Sequence, residues 1–189
     1  MMTDRTSPAT AGSAQIVHTV ALAFLLGAMP ALAGEYPCCS EAELEYSNGD
    51  VRLAGVVLEP YAEGVFPGAV IIQGSGDSDR SNAWARSIAE TIAGEGFAVL
   101  LTDKRGSGRS GGDWRTSSFE DLAWDTLAGV EALRRREGVQ GNLVGVVGLS
   151  QGGKVAPLAA TLGRADFVIS MVRSVAPMDQ ARFHALENN

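Results

Sequence analysis

The stretch Val146-Val-Gly-Leu-Ser-Gln-Gly-Gly-Lys-Val155 carries two overlapping motifs. Gly148-Leu149-Ser150-Gln151-Gly152 fits G-x-S-x-G, the turn that presents a nucleophilic serine between a strand and a helix. Gly148 to Lys154 also fits G-x-x-x-x-G-K, most of a phosphate-binding loop. Such a loop needs Ser or Thr after its lysine to ligate the nucleotide's Mg²⁺. Here that position is Val155, which has no ligand atom. The hydrolase reading explains more residues. A serine at so sharp a turn is forced into a strained backbone conformation. Side chains two positions to either side would collide, so Gly148 and Gly152 are what sterics demand. The turn carries Ser150 Oγ past the end of a strand, with a helix N-terminus behind it. The backbone N–H of Gln151 then faces the place where a tetrahedral oxyanion forms. A plain helix cap at Ser150 is the competing reading.

Working outward, strands and helices alternate. Ala42–Tyr46 and Val51–Glu59 flank Ser47-Asn48-Gly49-Asp50, and Asn-Gly between such runs signals a hairpin. Ala69–Ile72, Ala98–Leu101 and Leu143–Val147 are short apolar runs suited to strands buried on both faces, and Phe167–Met171 reads as a fourth core strand. Between them lie three helical segments. Ala83–Gly94 carries Trp84, Ile88 and Ile92 at a spacing of four. A second runs to about Arg136 behind a capping box read at Ser117 and Glu120, with Phe119, Leu122, Thr126, Val130 and Leu133 inward. The third spans about Gln151 to Leu162, and Pro157 should kink it or free the carbonyl of Gly153. A hairpin followed by alternating strands and helices predicts an α/β fold: a mostly parallel sheet with helices on both faces and an N-terminal antiparallel hairpin.

Two further loops follow strands. Gln73-Gly74-Ser75-Gly76 comes after the first parallel strand, where a second oxyanion donor is required. The N–H of Ser75 is the candidate, with Gly76 second, and the glycines allow close backbone approach. Asp103 to Ser110 follows the next strand. Within it Gly106 to Gly111 fits the dinucleotide pattern G-x-G-x-x-G, but the helix begins several residues too late. Arg105 is read as a brace that pairs with a carboxylate.

Bulk properties bound the rest. The chain has 189 residues, 46% hydrophobic, and a formal charge of −7, which suits one globular domain and disfavours nucleic acid as a partner. Arg5, the apolar run Ile16–Met29 and Ala31-Leu32-Ala33 have the layout of a secretory leader. Residues 1–33 are therefore expected to be a signal peptide and 34–189 the domain. The run is short for a membrane span, so no stable anchor is expected after cleavage, and the mature protein should be periplasmic or extracellular. Cys38 and Cys39 are the only cysteines. Neighbouring cysteines form a strained ring, so they are expected as incidental thiols or as pairs between chains. No metal-ligand cluster and no cofactor motif is apparent.

Together, "IIQGSGDSDR", "LLTDKRGSGRSGGDW", "SFEDLAWD" and "GLSQGGKVAPLAA" resemble the serine α/β-hydrolases. Within that group they are most similar to bacterial exported or cell-envelope hydrolases related to acyl esterases and serine aminopeptidases. The resemblance implies the α/β-hydrolase fold. It also implies hydrolysis of an ester, thioester or amide in a small-molecule or peptide acyl substrate, through an acyl-enzyme on Ser150. It assigns the oxyanion hole to the N–H groups of Gln151 and Ser75. Gln73 stands where relatives have a structural histidine, and Lys154 where they often have an aromatic residue. Relatives place an acid and then a histidine on loops after two further strands. After Ser150 this chain has His184, with Asp166, Asp179 and Glu187 as acids. The fold is therefore expected to be incomplete at its C-terminus and the isolated chain weak or inactive. A non-catalytic binding module on the same scaffold is the alternative.

Overall fold

The computed structural model describes residues 38–171. The expected leader, His18, His184, Asp179 and Glu187 lie outside the described residues.

Six strands form one sheet. The hairpin comes first, β1 (Cys39–Asn48) and β2 (Val51–Pro60), turning at Asn48-Gly49-Asp50 with Gly49 at φ 56°. β3 (Phe66–Ile72) and β4 (Ala98–Thr102) follow, separated by α1 (Ala83–Gly94). Then come α2 (Phe119–Arg134), β5 (Val139–Leu149), α3 (Gly152–Leu162) and β6 (Val168–Met171). The spatial order is β1-β2-β4-β3-β5-β6. β1 and β2 run antiparallel to each other, and β2 is antiparallel to β4. The pairs β3–β4, β3–β5 and β5–β6 are parallel. The expected α/β architecture is present, with helices on both faces.

Alternation along the strands builds two cores. Val70, Ile72, Leu100, Val144 and Val146 face α2 and α3. Ala69, Ile71, Val99, Leu101, Val147 and Leu149 face α1. Every residue of β4 is buried, as a central strand requires. The outer strand β1 instead alternates Ala42, Leu44 and Tyr46, all half-buried, with exposed Glu41, Glu43 and Glu45. Those carboxylates meet Arg86, Arg80 and Arg109 respectively, and charge on an edge discourages further strand pairing.

Several expectations need correction. The buried stripe of α1 is Ala85, Ala89 and Ala93, not Trp84, Ile88 and Ile92; Trp84 is 51% exposed and the two isoleucines pack at the flanks. The facing sheet surface carries Leu58, Val99 and Leu101, and small residues let the helix sit close against them. The capping box on α2 is one residue later: Ser118 accepts from Asp121 N–H, and Asp121 accepts from the Ser118 N–H. Ser117 instead donates to the Asp113 carbonyl at 2.8 Å. β5 begins four residues before the expected Leu143. β6 is not a core strand but an exposed one, with Val168, Ile169 and Met171 between 39% and 47% exposed. Cys38 and Cys39 are joined to each other as a disulfide, and Cys39 is buried beside Val56 and Leu58 at the start of β1. Pro157 leaves α3 continuous, and the carbonyl of Gly153 accepts from the Ser170 hydroxyl at 3.1 Å.

Candidate functional site

Three loops leave the sheet at the carboxyl ends of adjacent strands, where open α/β sheets bind ligands. Ile72 of β3 is level with Gly148 of β5, and Ile71 with Leu101 of β4. Gln73-Gly74, Asp103-Lys104 and Ser150-Gln151 therefore emerge side by side.

Ser150 lies between β5 and α3 with φ 52°, the one positive φ at a non-glycine among the described residues. A left-handed backbone at a residue with a β-carbon is strained by roughly 1–2 kcal/mol. The surroundings enforce it. The Ser150 N–H donates to the Met171 carbonyl at 3.0 Å, and its own carbonyl accepts from the Gly153 N–H at 3.1 Å. Ser150 is exposed, whereas Leu149, Gln151, Gly152 and Gly153 are buried.

The flanking glycines are steric necessities, each for its own reason. A β-carbon on Gly148 would run into the backbone of Gly152 and lie 2.6 Å from Gly153 N. One on Gly152 would strike the Ile72 carbonyl and come within 2.8 Å of the Gln73 carbonyl. The second glycine is thus demanded by the neighbouring strand β3, not by its partner in the motif. Gly74 is not crowded in this way, but it is close by: a β-carbon there would make ordinary van der Waals contact with Ser150 Cβ at 3.6 Å. That proximity brings the Gly74–Ser75 peptide beside the serine.

The nucleotide readings find no support in the geometry. Val155 is buried in the core between α3 and the sheet. Gly106 to Gly111 closes as a turn, Gly106 N–H donating to the Gly111 carbonyl at 2.9 Å, and α2 starts only at Phe119.

The loop after β3 is held by Gln73, which is 3% exposed. Its amide donates to the Asp79 and Thr102 carbonyls at 3.0 and 2.9 Å, and its Oε1 accepts from the Ser78 hydroxyl at 3.0 Å. Gln73 therefore ties the loop after β3 to the end of β4.

Asp103 is a hub of the same framework. Its side chain is fully buried and takes a two-pronged pair from Arg80, at 2.9 and 2.8 Å. The backbone N–H groups of Arg80 and Arg109 add bonds at 3.0 and 2.9 Å. Burial acts to raise the Asp103 carboxyl, but the Arg80 guanidinium and these N–H donors outweigh it and hold it below the usual range. Arg105 plays the bracing part expected of it, with a bidentate pair to Asp125 of α2 at 2.7 and 2.6 Å. Asn48 of the hairpin also donates to Asp125 at 2.8 Å. A cavity of about 40 Å³ lined by Tyr46, Asp103, Arg105, Asp125 and Thr126 lies on the core side of this loop. That is room for water-sized groups only, and Ser150 is not part of its wall.

Asp166, one of the acids considered for the site, is at the wrong end of the sheet. It lies just before the amino end of β6, accepts from the Val144 N–H midway along β5 and pairs with Arg134 and Arg164, whereas Ser150 leaves the carboxyl end of β5. Among the described residues no group of three or more His, Cys, Asp or Glu is arranged to hold a metal, and no helix is long and apolar enough to cross a membrane.

Sequence reading passed over Lys104. It is 7% exposed, and its Nζ donates to the Gly74 carbonyl at 2.9 Å, the Gly76 carbonyl at 3.2 Å and Gln151 Oε1 at 2.6 Å. A cation in a glycine-rich loop reads as solvated. Only the crossing of three loops shows where it goes.

The family model described as Serine aminopeptidase, S33 matches residues 67–185, well over half of the chain. Esterase EstD of Thermotoga maritima is 27% identical over 133 residues, which is 68% of this chain and 32% of that esterase. A solved esterase of Pyrococcus furiosus is 28% identical with a TM-score of 0.53, covering 62% of this chain and 43% of its own. The fold alone is shared with a hypothetical protein of Pseudomonas aeruginosa, 22% identical, TM-score 0.65, covering 80% and 51% of the two chains. It is also shared with the alpha/beta hydrolase GrgF of Penicillium sp. sh18, 24% identical, TM-score 0.59, covering 66% and 42%. The chain thus spans about a third of the curated relative and about half or less of these solved ones.

Proposed function

The chain belongs to the serine aminopeptidase S33 family of hydrolases, and from that premise we propose that it cleaves an ester, thioester or amide bond through an acyl-enzyme on Ser150. The observation that carries this reading is the left-handed Ser150 at a strand-to-helix turn, exposed, with the Gly74–Ser75 peptide alongside. Ser150 Oγ attacks the carbonyl carbon as a base takes its proton. The carbonyl electron pair moves onto oxygen, where the N–H groups of Ser75 and Gln151 stabilise it. Collapse expels the alcohol, thiol or amine with a proton, and water then releases the acid by the same route. The substrate is a small-molecule or peptide acyl compound. Of the chain's two histidines only His184 follows Ser150, with Asp179 and Glu187 on either side of it in sequence.

Labelling with a fluorophosphonate, with Ser150→Ala as control, tests the assignment. Label on the native chain and none on the variant is expected, and equal label on both rules Ser150 out. Serine-dependent turnover of a short p-nitrophenyl acyl ester separates an enzyme from a binding module on the same scaffold. We also propose that residues 1–33 direct export to the periplasm or beyond. N-terminal sequencing of the exported protein should then begin at Gly34, and a product that retains residues 1–33 refutes cleavage.

A further inference from the structure

We infer that Lys104 is a positioning residue for the oxyanion site, aiming the Ser75 N–H by its hold on the carbonyls to either side of Ser75 and anchoring Gln151 through its side chain. This rests on the reading of Ser150 as the nucleophile. The reasoning starts from the planarity of the peptide unit. In a trans peptide the C=O and the following N–H point to opposite sides. The Gly74 carbonyl and the Ser75 N–H share one such plane. With the carbonyl fixed on Lys104 Nζ at 2.9 Å, the Ser75 N–H points directly away from the lysine. The grip on the Gly76 carbonyl at 3.2 Å fixes the next-but-one peptide, so the loop cannot swivel about Ser75. Gly76 has φ 73°, and glycine backbone is soft enough to need such a restraint.

The third bond ties this loop to the elbow. Gln151 Oε1 accepts from Nζ at 2.6 Å, and the Gln151 side chain is 1% exposed. One group therefore registers both proposed oxyanion donors against each other, reaching Gln151 across a sequence separation of 47 residues from Lys104. An ammonium has three N–H donors, and burying it is tolerable only when they are used; here three acceptors are in reach. The lysine is itself held. Its N–H donates to the Ser78 carbonyl at 3.1 Å, and its carbonyl accepts from the Ser107 N–H at 2.8 Å. Its Nζ also lies 5.0 Å from the centre of the Trp114 ring.

Lys104→Met keeps the stem and removes the donors. Losing one oxyanion donor outright costs on the order of 100- to 1,000-fold in rate, so a donor left in place but unaimed should cost roughly 10- to 100-fold. The experiment compares the second-order rate of fluorophosphonate labelling at Ser150 in the native chain, Lys104→Met and Lys104→Gln, with the labelled fraction at completion and thermal unfolding recorded for each. The expected result is slower labelling in Lys104→Met with the full labelled fraction retained, and Lys104→Gln in between. Where ester turnover is measurable, kcat should fall with KM little changed. Labelling at the native rate in both variants overturns the proposal, as does a loss confined to the labelled fraction. If Lys104→Met does not fold, Lys104→Gln alone decides by the same criterion. If the native chain takes no label, the proposed function fails, and amide hydrogen exchange still judges the lysine. Exchange at Ser75 and Asp77 should then quicken in the variants, and unchanged exchange at both refutes the positioning role.

Discussion

Replacing Ser150 by Gly and, separately, by Ala tests the strained turn without reference to catalysis. Both changes remove the same exposed hydroxyl, so its loss cancels in the comparison. They differ in the β-carbon that alanine keeps at φ 52°. Holding a β-carbon in that region costs roughly 1–2 kcal/mol, which Gly relieves. Gly also has the freer unfolded chain, which takes back about 0.4–1 kcal/mol. The balance favours Ser150→Gly over Ser150→Ala by about 0.5–1 kcal/mol. For a domain of this size that corresponds to a melting temperature about 1–4 °C higher. Urea denaturation and thermal unfolding of the two variants measure it. In an ordinary helical turn the order reverses, because Gly is worse than Ala there by roughly 0.5–1 kcal/mol. A Ser150→Ala variant equal to or more stable than Ser150→Gly refutes the elbow geometry, and with it the reading of the site.

Three other outcomes are expected. Gly152→Ala should destabilise by roughly 3 kcal/mol or more, because its β-carbon meets the backbone carbonyls of Ile72 and Gln73, which belong to or adjoin a central strand; native-like melting would show that β3 can yield. Asp103→Asn should cost roughly 3 kcal/mol at neutral pH, because Arg80 keeps Glu43 but loses its buried two-pronged carboxylate partner. The carboxyl titrates lower in the folded chain than in the unfolded one, so its stabilisation is complete above the unfolded value of about 3.9 and is lost as pH falls through the lower folded value. Acid unfolding curves should therefore be flatter for Asp103→Asn than for the native protein below about pH 4, and parallel curves contradict the assignment. Arg105→Lys should cost about 1–2 kcal/mol in denaturant titrations, since an ammonium cannot reproduce the two-pronged pair with Asp125; no measurable loss would reduce that pair to decoration.

What the sequence determined by itself is the set of features whose cause is local. Asn48-Gly49 turns the hairpin because Gly accepts a positive φ there. Gly148 is required by the backbone four residues ahead of it. Alternating apolar runs decide which residues can face a core, and they sufficed for an α/β sheet with three glycine-rich loops at its carboxyl end. The remainder depended on which distant segments meet. Two rows on α1 share the same spacing, and only the bulk of Leu58, Val99 and Leu101 opposite selects the alanines. Gly152 is fixed by β3, some 80 residues away in the chain, and Arg105 found its carboxylate on α2. Lys104 acquired its role from carbonyls on a loop 28 and 30 residues before it and an amide 47 residues after. Steric demands between chain neighbours are written in residue type and spacing. A hydrogen bond between loops depends on strand order and register, which are properties of the assembled sheet.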